Sequence, residues 1–62
     1  MYGIIFYTRG LSAVPVLDED ELGQRFAMFE TIEETYRIAE SHILYGKEYL
    51  MIIDFKNGEI VS

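Results

Sequence analysis

Apolar and polar positions recur along this chain with two different periods, and each change of period marks an element. From Tyr2 to Thr8 (YGIIFYT) β-branched and aromatic residues follow one another, with Ile4 and Phe6 directed to one side and Ile5 and Tyr7 to the other. That is the pattern of a strand. Arg9-Gly10 is a turn, and Leu11 to Leu17 reads as a weaker return strand. Pro15 confines it to an edge, because proline removes a ladder hydrogen bond. Asp18 to Gly23 breaks the alternation as an acidic loop or a single helical turn, and Arg25 to Glu30 (RFAMFE) reads as a second firm strand.

The period then becomes helical. Thr31 to Tyr45 (TIEETYRIAESHILY) places Ile32, Tyr36, Ala39 and Ile43 on one stripe, with Thr35, Ile38, His42 and Tyr45 beside it. Glu33, Arg37, Glu40 and Ser41 lie opposite, and Leu44 is the one apolar residue stranded among them. Thr31 and Glu34 have the spacing of a capping box, Glu33 and Glu34 put negative charge at the positive pole of the helix dipole, and Gly46 is placed to end the helix in a left-handed conformation. Glu48 to Phe55 (EYLMIIDF) is apolar on both faces, which predicts a central strand. Asn57-Gly58 then signals a hairpin, and Glu59 to Ser62 a short returning strand. The expected architecture is α+β: a small antiparallel sheet of about four to five strands packed on one helix, in the order β, weak β, β, α, β, β.

A single helix covers one face of such a sheet. Ile5, Tyr7, Phe29, Tyr49, Met51 and Ile53 offer apolar side chains to the other, so the expectation is a homodimer or higher oligomer that completes the fold through them. Sixty-two residues, read as one domain spanning 1–62, stand near the lower limit at which a core alone sustains a fold. There is no cysteine to staple the chain or bind zinc. No apolar run approaches a membrane span, and the N-terminus lacks the basic region and cleavage pattern of a signal peptide, so the expected location is cytoplasmic.

The formal net charge is −6, and Asp18, Glu19, Asp20, Glu21, Glu30, Glu33 and Glu34 fall in one stretch relieved only by Arg25. Binding to DNA or RNA draws on Lys and Arg that displace counterions from phosphates, and five scattered basic residues disfavour it. A basic protein is the more compatible partner, with Asp18, Glu19, Asp20 and Glu21 as the candidate contact. The same run lacks the spaced oxygen ligands and central glycine of a calcium loop, so it reads as solvated rather than metal-binding. His42 is the only histidine and falls beside the apolar stripe, where packing explains it. No serine has a base or nucleophile-elbow context and no glycine-rich phosphate loop follows a strand. The chain is therefore read as non-enzymatic and without cofactor, and its aromatic residues as packing rather than a base-stacking platform.

The segment Phe29 to Glu40 (FETIEETYRIAE) is similar to the strand, cap and helix phrase F-x-T-x-E-E-A, and it resembles the antitoxins of HicB-type toxin–antitoxin pairs. Thr35 stands where the phrase prefers alanine, and no proline-rich strand connection accompanies it. The resemblance implies a regulator that needs a toxin partner. The leading expectation from the residues themselves is a small acidic protein that binds and modulates or inhibits another macromolecule, of the kind carried by phages and mobile elements. The rival expectation is an oligomer that sequesters a small, nucleotide-like molecule in a pocket between subunits.

Overall fold

In the computed structural model of the protein the described residues are 1–8 and 12–61. Among them the chain forms β1 (Tyr2–Tyr7), β2 (Ala13–Pro15), β3 (Leu17–Asp20), β4 (Gly23–Phe26), α1 (Ile32–Ser41), β5 (Tyr49–Asp54) and β6 (Glu59–Ile60). The expected α+β architecture is what these elements build: α1 lies against an antiparallel four-stranded sheet in the order β2-β1-β5-β6, and β3 and β4 pair as a separate two-stranded sheet. The Arg9-Gly10 turn, the beginning of the return strand at Leu11 and the terminal Ser62 lie outside the described residues.

β5 is central as its two-sided apolar pattern requires. Its Ile52, Leu50 and Asp54 stand opposite Ile4, Phe6 and Tyr2 of β1, and its Ile53 and Asp54 stand opposite Ile60 and Glu59 of β6. Side chains directly opposite each other share a face, so Ile4, Phe6 and Ile52 meet under the helix. There they are fully buried together with Ala39, and Tyr2, Val16, Phe29, Ile32, Tyr36, Leu44 and Leu50 pack around them. Thr35 is also fully buried. Its hydroxyl donates to the Thr31 carbonyl at 2.7 Å, so a polar group takes an alanine-like place without an unmet hydrogen bond.

Two expectations are corrected here. Arg25 to Glu30 is not one strand: Gly23–Phe26 pairs with β3, while Phe29 alone bridges to Tyr2. The reason is geometric. β1 has two edges, and β5 occupies one. The other is shared, because Ala13–Pro15 pairs with Tyr7–Ile5 and Phe29 exchanges both backbone hydrogen bonds with Tyr2 at 2.8 and 2.9 Å. Between these two footholds the chain leaves the sheet. Val16 N–H still donates to Ile4 and Ala27 N–H to Val16, and everything from Leu17 to Phe26 folds back on itself as a hairpin. The acidic stretch from Asp18 is accordingly strand and tight turn, not a loop or helical turn.

The helix is also shorter than its periodicity suggests. Thr31 caps it as expected, accepting the Glu34 N–H at 3.2 Å, but it ends at Ser41 with His42 in an extended conformation. The His42 ring stacks on Phe6 with centroids 4.7 Å apart, and its Nδ1 accepts the Leu44 N–H at 3.1 Å. That turn delivers Leu44 into the core and leaves Ile43 76% exposed, the reverse of their helical-wheel positions. Gly46 does take a positive φ of 81°, but in the turn where Lys47 N–H donates to Leu44.

Replacing Thr31 with alanine should cost about 1 kcal/mol through the lost cap. Gly46→Val should cost about 1–2 kcal/mol from left-handed backbone strain alone, since an added Cβ would meet nothing within 4 Å. In a domain this small each corresponds to a fall of roughly 4–8 °C or more in thermal midpoint. Midpoints unchanged in both variants would contradict the cap and the turn.

The β5–β6 connection runs from Phe55 to Gly58, longer than a two-residue Asn-Gly hairpin, because Asp54 organises it. Its carboxylate accepts the Lys56 N–H at 3.0 Å and the Asn57 side-chain amide at 2.8 Å. The Asn57 side chain chiefly, against a smaller effect of desolvation and with help from the backbone amides, holds the Asp54 carboxyl below the usual carboxylate range. A lowered folded value means the stabilisation is complete above the ordinary Asp value and is lost as pH falls through the lowered one. The melting difference between wild type and Asp54→Ala should therefore shrink on acidification from pH 7. A difference constant with pH would contradict this role.

Candidate interaction surfaces

Two surfaces stand out, and each follows from strand alternation. The first is the sheet face turned away from α1. Register puts Ile5 opposite Met51, Tyr7 opposite Tyr49 and Gly3 opposite Ile53 across β1 and β5. Pro15 and Ala13 of β2 extend this face on one side and Ile60 of β6 on the other. None of these strand positions carries a charged residue. Tyr7 and Tyr49 stack with ring centroids 5.3 Å apart. Phe55 lies over Gly3, where a Cβ would come within 2.5 Å of its ring, and its edge meets Phe26 at the root of the hairpin. Five of the six residues expected at an oligomer interface, Ile5, Tyr7, Tyr49, Met51 and Ile53, are thus brought together. Phe29 is not among them, because its bridge to Tyr2 turns it against the core under the helix.

The second surface is the β3–β4 hairpin. All eight of its strand residues are exposed. Asp18 stands opposite Arg25 and Glu19 opposite Gln24, so successive acids point to alternate faces of the arm. Asp20 does two things: Oδ1 accepts the Leu22 N–H at 2.8 Å, which tightens the turn, and Oδ2 pairs with Arg25 Nε at 3.4 Å. Both groups are solvent-exposed, so the pair adds little stability. The four candidate contact residues, Asp18, Glu19, Asp20 and Glu21, are brought to one projecting arm but do not converge on a point. Leu22, which the sequence pattern did not single out, occupies the tip and is 97% exposed. A bulky apolar residue in a two-residue turn, where asparagine and glycine are the usual choices, was the available signal.

Little else converges. Among the described residues no three His, Cys, Asp or Glu side chains are grouped as a metal site would need. A shallow cleft of about 280 Å³ at the root of the hairpin is lined by Met1, Asp18, Arg25, Phe26 and Met28, just under the roughly 300–1,000 Å³ of small-molecule pockets. Among the described residues no helix is long and apolar enough to cross a membrane. Compared with protein-family models, curated proteins and solved structures, the chain finds no match.

Proposed function

We propose that this chain is a non-enzymatic binding protein that engages a basic protein through the β3–β4 hairpin and so modulates that partner. A role as an accessory or inhibitory protein of a phage or mobile element is consistent with its size and charge. The observation that carries the reading is the hairpin itself. The backbone leaves the sheet between two footholds on β1 and returns, and no residue from Leu17 to Phe26 joins the helix-side core. What it presents instead is four consecutive acids against one arginine, with Leu22 free at the tip. Charges on such an arm raise association rate and specificity, and a desolvated apolar anchor slows dissociation.

The test uses the intact chain as bait for proteins of its native cell, followed by kinetics with the purified partner. Neutralising Asp18, Glu19, Asp20 and Glu21 as Asn, Gln, Asn and Gln should slow association by about tenfold or more at low salt. Asparagine at 20 keeps the oxygen that accepts the Leu22 N–H, so the turn survives. Leu22→Ala should accelerate dissociation with little change in association rate.

A further inference from the structure

We infer that the hairpin holds its partner by strand addition: an extended basic segment pairs antiparallel with the open edge of β3, setting two consecutive cations opposite Glu19 and Asp18 and an apolar residue opposite Leu17. This rests on the reading of the hairpin as the site that engages a basic protein, and it names the mode of recognition. Backbone register identifies the groups involved. β3 and β4 form a sheet of two strands, so each has one edge without a neighbour. Ala27 N–H donates to Val16 at 3.0 Å, which makes Val16 and Ala27 a hydrogen-bonded pair. Bonded and non-bonded pairs alternate along an antiparallel ladder, so Asp18 with Arg25 and Asp20 with Gly23 are bonded pairs as well. Leu17 and Glu19 of β3, like Gln24 and Phe26 of β4, therefore turn their N–H and C=O groups outward. All eight strand residues are exposed, and a two-stranded ribbon without further support is marginally stable in water. A third strand takes up the outward groups and supplies that support.

Length and charge select the edge and its occupant. The four-stranded sheet ends in poorer templates: β2 is three residues long and closes on Pro15, which has no N–H to donate, and β6 is two residues long. The edge of β4 carries Arg25, a like charge for a basic strand. β3 carries Asp18, Glu19 and Asp20 in succession. Arg25 faces Asp18 across the hairpin yet pairs with Asp20, and among the described residues neither Asp18 nor Glu19 has an ion-pair partner. Alternation puts Asp18 on one face of the arm and Leu17 and Glu19 on the other. An added strand thus brings one cation to each face, and an apolar side chain to Leu17, which is 42% exposed. Antiparallel pairing is the more stable sense, and in that direction the complementary segment reads basic, basic, apolar, with a β-branched residue suited to the third place. The β3 edge of a second copy would set acid against acid. The same charges that deter self-pairing admit a basic strand.

The test titrates the intact protein with a capped peptide of about eight residues, Lys-Arg-Val flanked by threonines, at low salt, and follows the backbone amides by NMR. Wild type should bind it, with the Leu17 and Glu19 amides among those that shift. Glu19→Pro removes an outward N–H while leaving the ladder to β4 intact, and should weaken binding at least about tenfold. Glu19→Gln, which removes the charge alone, should weaken it about threefold. Gln24→Pro, the matched change on the opposite edge, should leave it within about twofold of wild type. If Glu19→Pro loses the hairpin, the unaltered protein decides: N-methylating the peptide amides that face β3 should weaken binding at least about tenfold, and methylating the alternate amides should not. No binding at millimolar peptide overturns strand addition. So does binding that the two proline variants weaken alike, or that is indifferent to which amides are methylated. Those results leave the hairpin reading standing, which fails instead if the variant neutral at all four acids associates with the captured partner as wild type does.

Discussion

Phe6→Ala is expected to leave the protein without a cooperative folded state near physiological temperature. Phe6 is fully buried in a central strand, among Ile4, Ile52 and Ala39 and against the ring of His42. Truncating a buried phenylalanine costs about 3–5 kcal/mol, from lost transfer energy and the cavity left behind. A single core in a chain of this length supplies about as much in total. The neighbouring Val14, opposite Phe6 on β2 but 43% exposed, is the control. Val14→Ala should cost under about 1 kcal/mol, because much of its side chain is already in water. Thermal and urea unfolding followed by circular dichroism, at one fixed protein concentration, tests both. A cooperative melt of Phe6→Ala within a few degrees of wild type would contradict the assigned core.

The next largest effect is expected at Gly3, where the absence of a side chain is itself a packing feature. An alanine Cβ would stand 2.5 and 2.7 Å from two atoms of the Phe55 ring, with the Ala27 carbonyl at 3.7 Å. The ring would have to leave its place and with it the edge contact to Phe26, whose centroid is 5.6 Å away. Overpacking of this kind costs about 1–3 kcal/mol. Once Phe55 is alanine the obstruction is gone, and Gly3→Ala should become neutral or stabilise by up to about 1 kcal/mol, since glycine within a strand is entropically unfavourable. A double-mutant cycle over Gly3 and Phe55 should therefore be strongly non-additive. Additive effects would show that Phe55 does not lie over Gly3.

What the sequence made legible follows from how local each signal is. The Thr31 cap, the positive φ at Gly46, the central position of Tyr49–Asp54 and the split of Ile4 and Phe6 from Ile5 and Tyr7 are set by neighbours in the chain, and each is present in the fold. The end of the helix was not local. Wheel geometry carried the helix to Tyr45, yet the stacking of His42 on Phe6 ends it at Ser41. Leu44, the one apolar residue on the polar side of the wheel, already marked that the helical phase had been lost before it. The hairpin was hidden for another reason. Asp and Glu have low strand propensity, and competition for one edge of β1 depends on residues distant in sequence. Its near symmetry about Glu21-Leu22, with Leu17 matched to Phe26 and Asp18 to Arg25, was a signal that propensity obscured. The open face was legible as a surplus of apolar residues, with Phe29 the one member that its bridge to Tyr2 takes away.

The Phe29–Glu40 phrase illustrates how little such a stretch specifies beyond itself. Its threonine cap and first-turn acids serve the helix, and its Phe29 serves the edge of β1. Thr35, its departure from the usual alanine, is accommodated by one hydrogen bond to Thr31. These are local solutions to ending a strand and starting a helix, and the candidate interaction surfaces lie elsewhere, on the hairpin and on the open face.

The proposal that the hairpin recruits a basic partner is tested most directly by the salt dependence of the association rate. The comparison is wild type against the variant neutral at Asp18, Glu19, Asp20 and Glu21, with the captured and purified partner. Wild-type association should be fast at about 20 mM salt and fall steeply towards about 500 mM as screening shortens the reach of the charges. The neutral variant, folded and soluble, should associate slowly at low salt and show little salt dependence, the two rates converging at high salt. Equal rates and equal salt dependence for the two proteins would contradict the proposal and remove the hairpin from recognition.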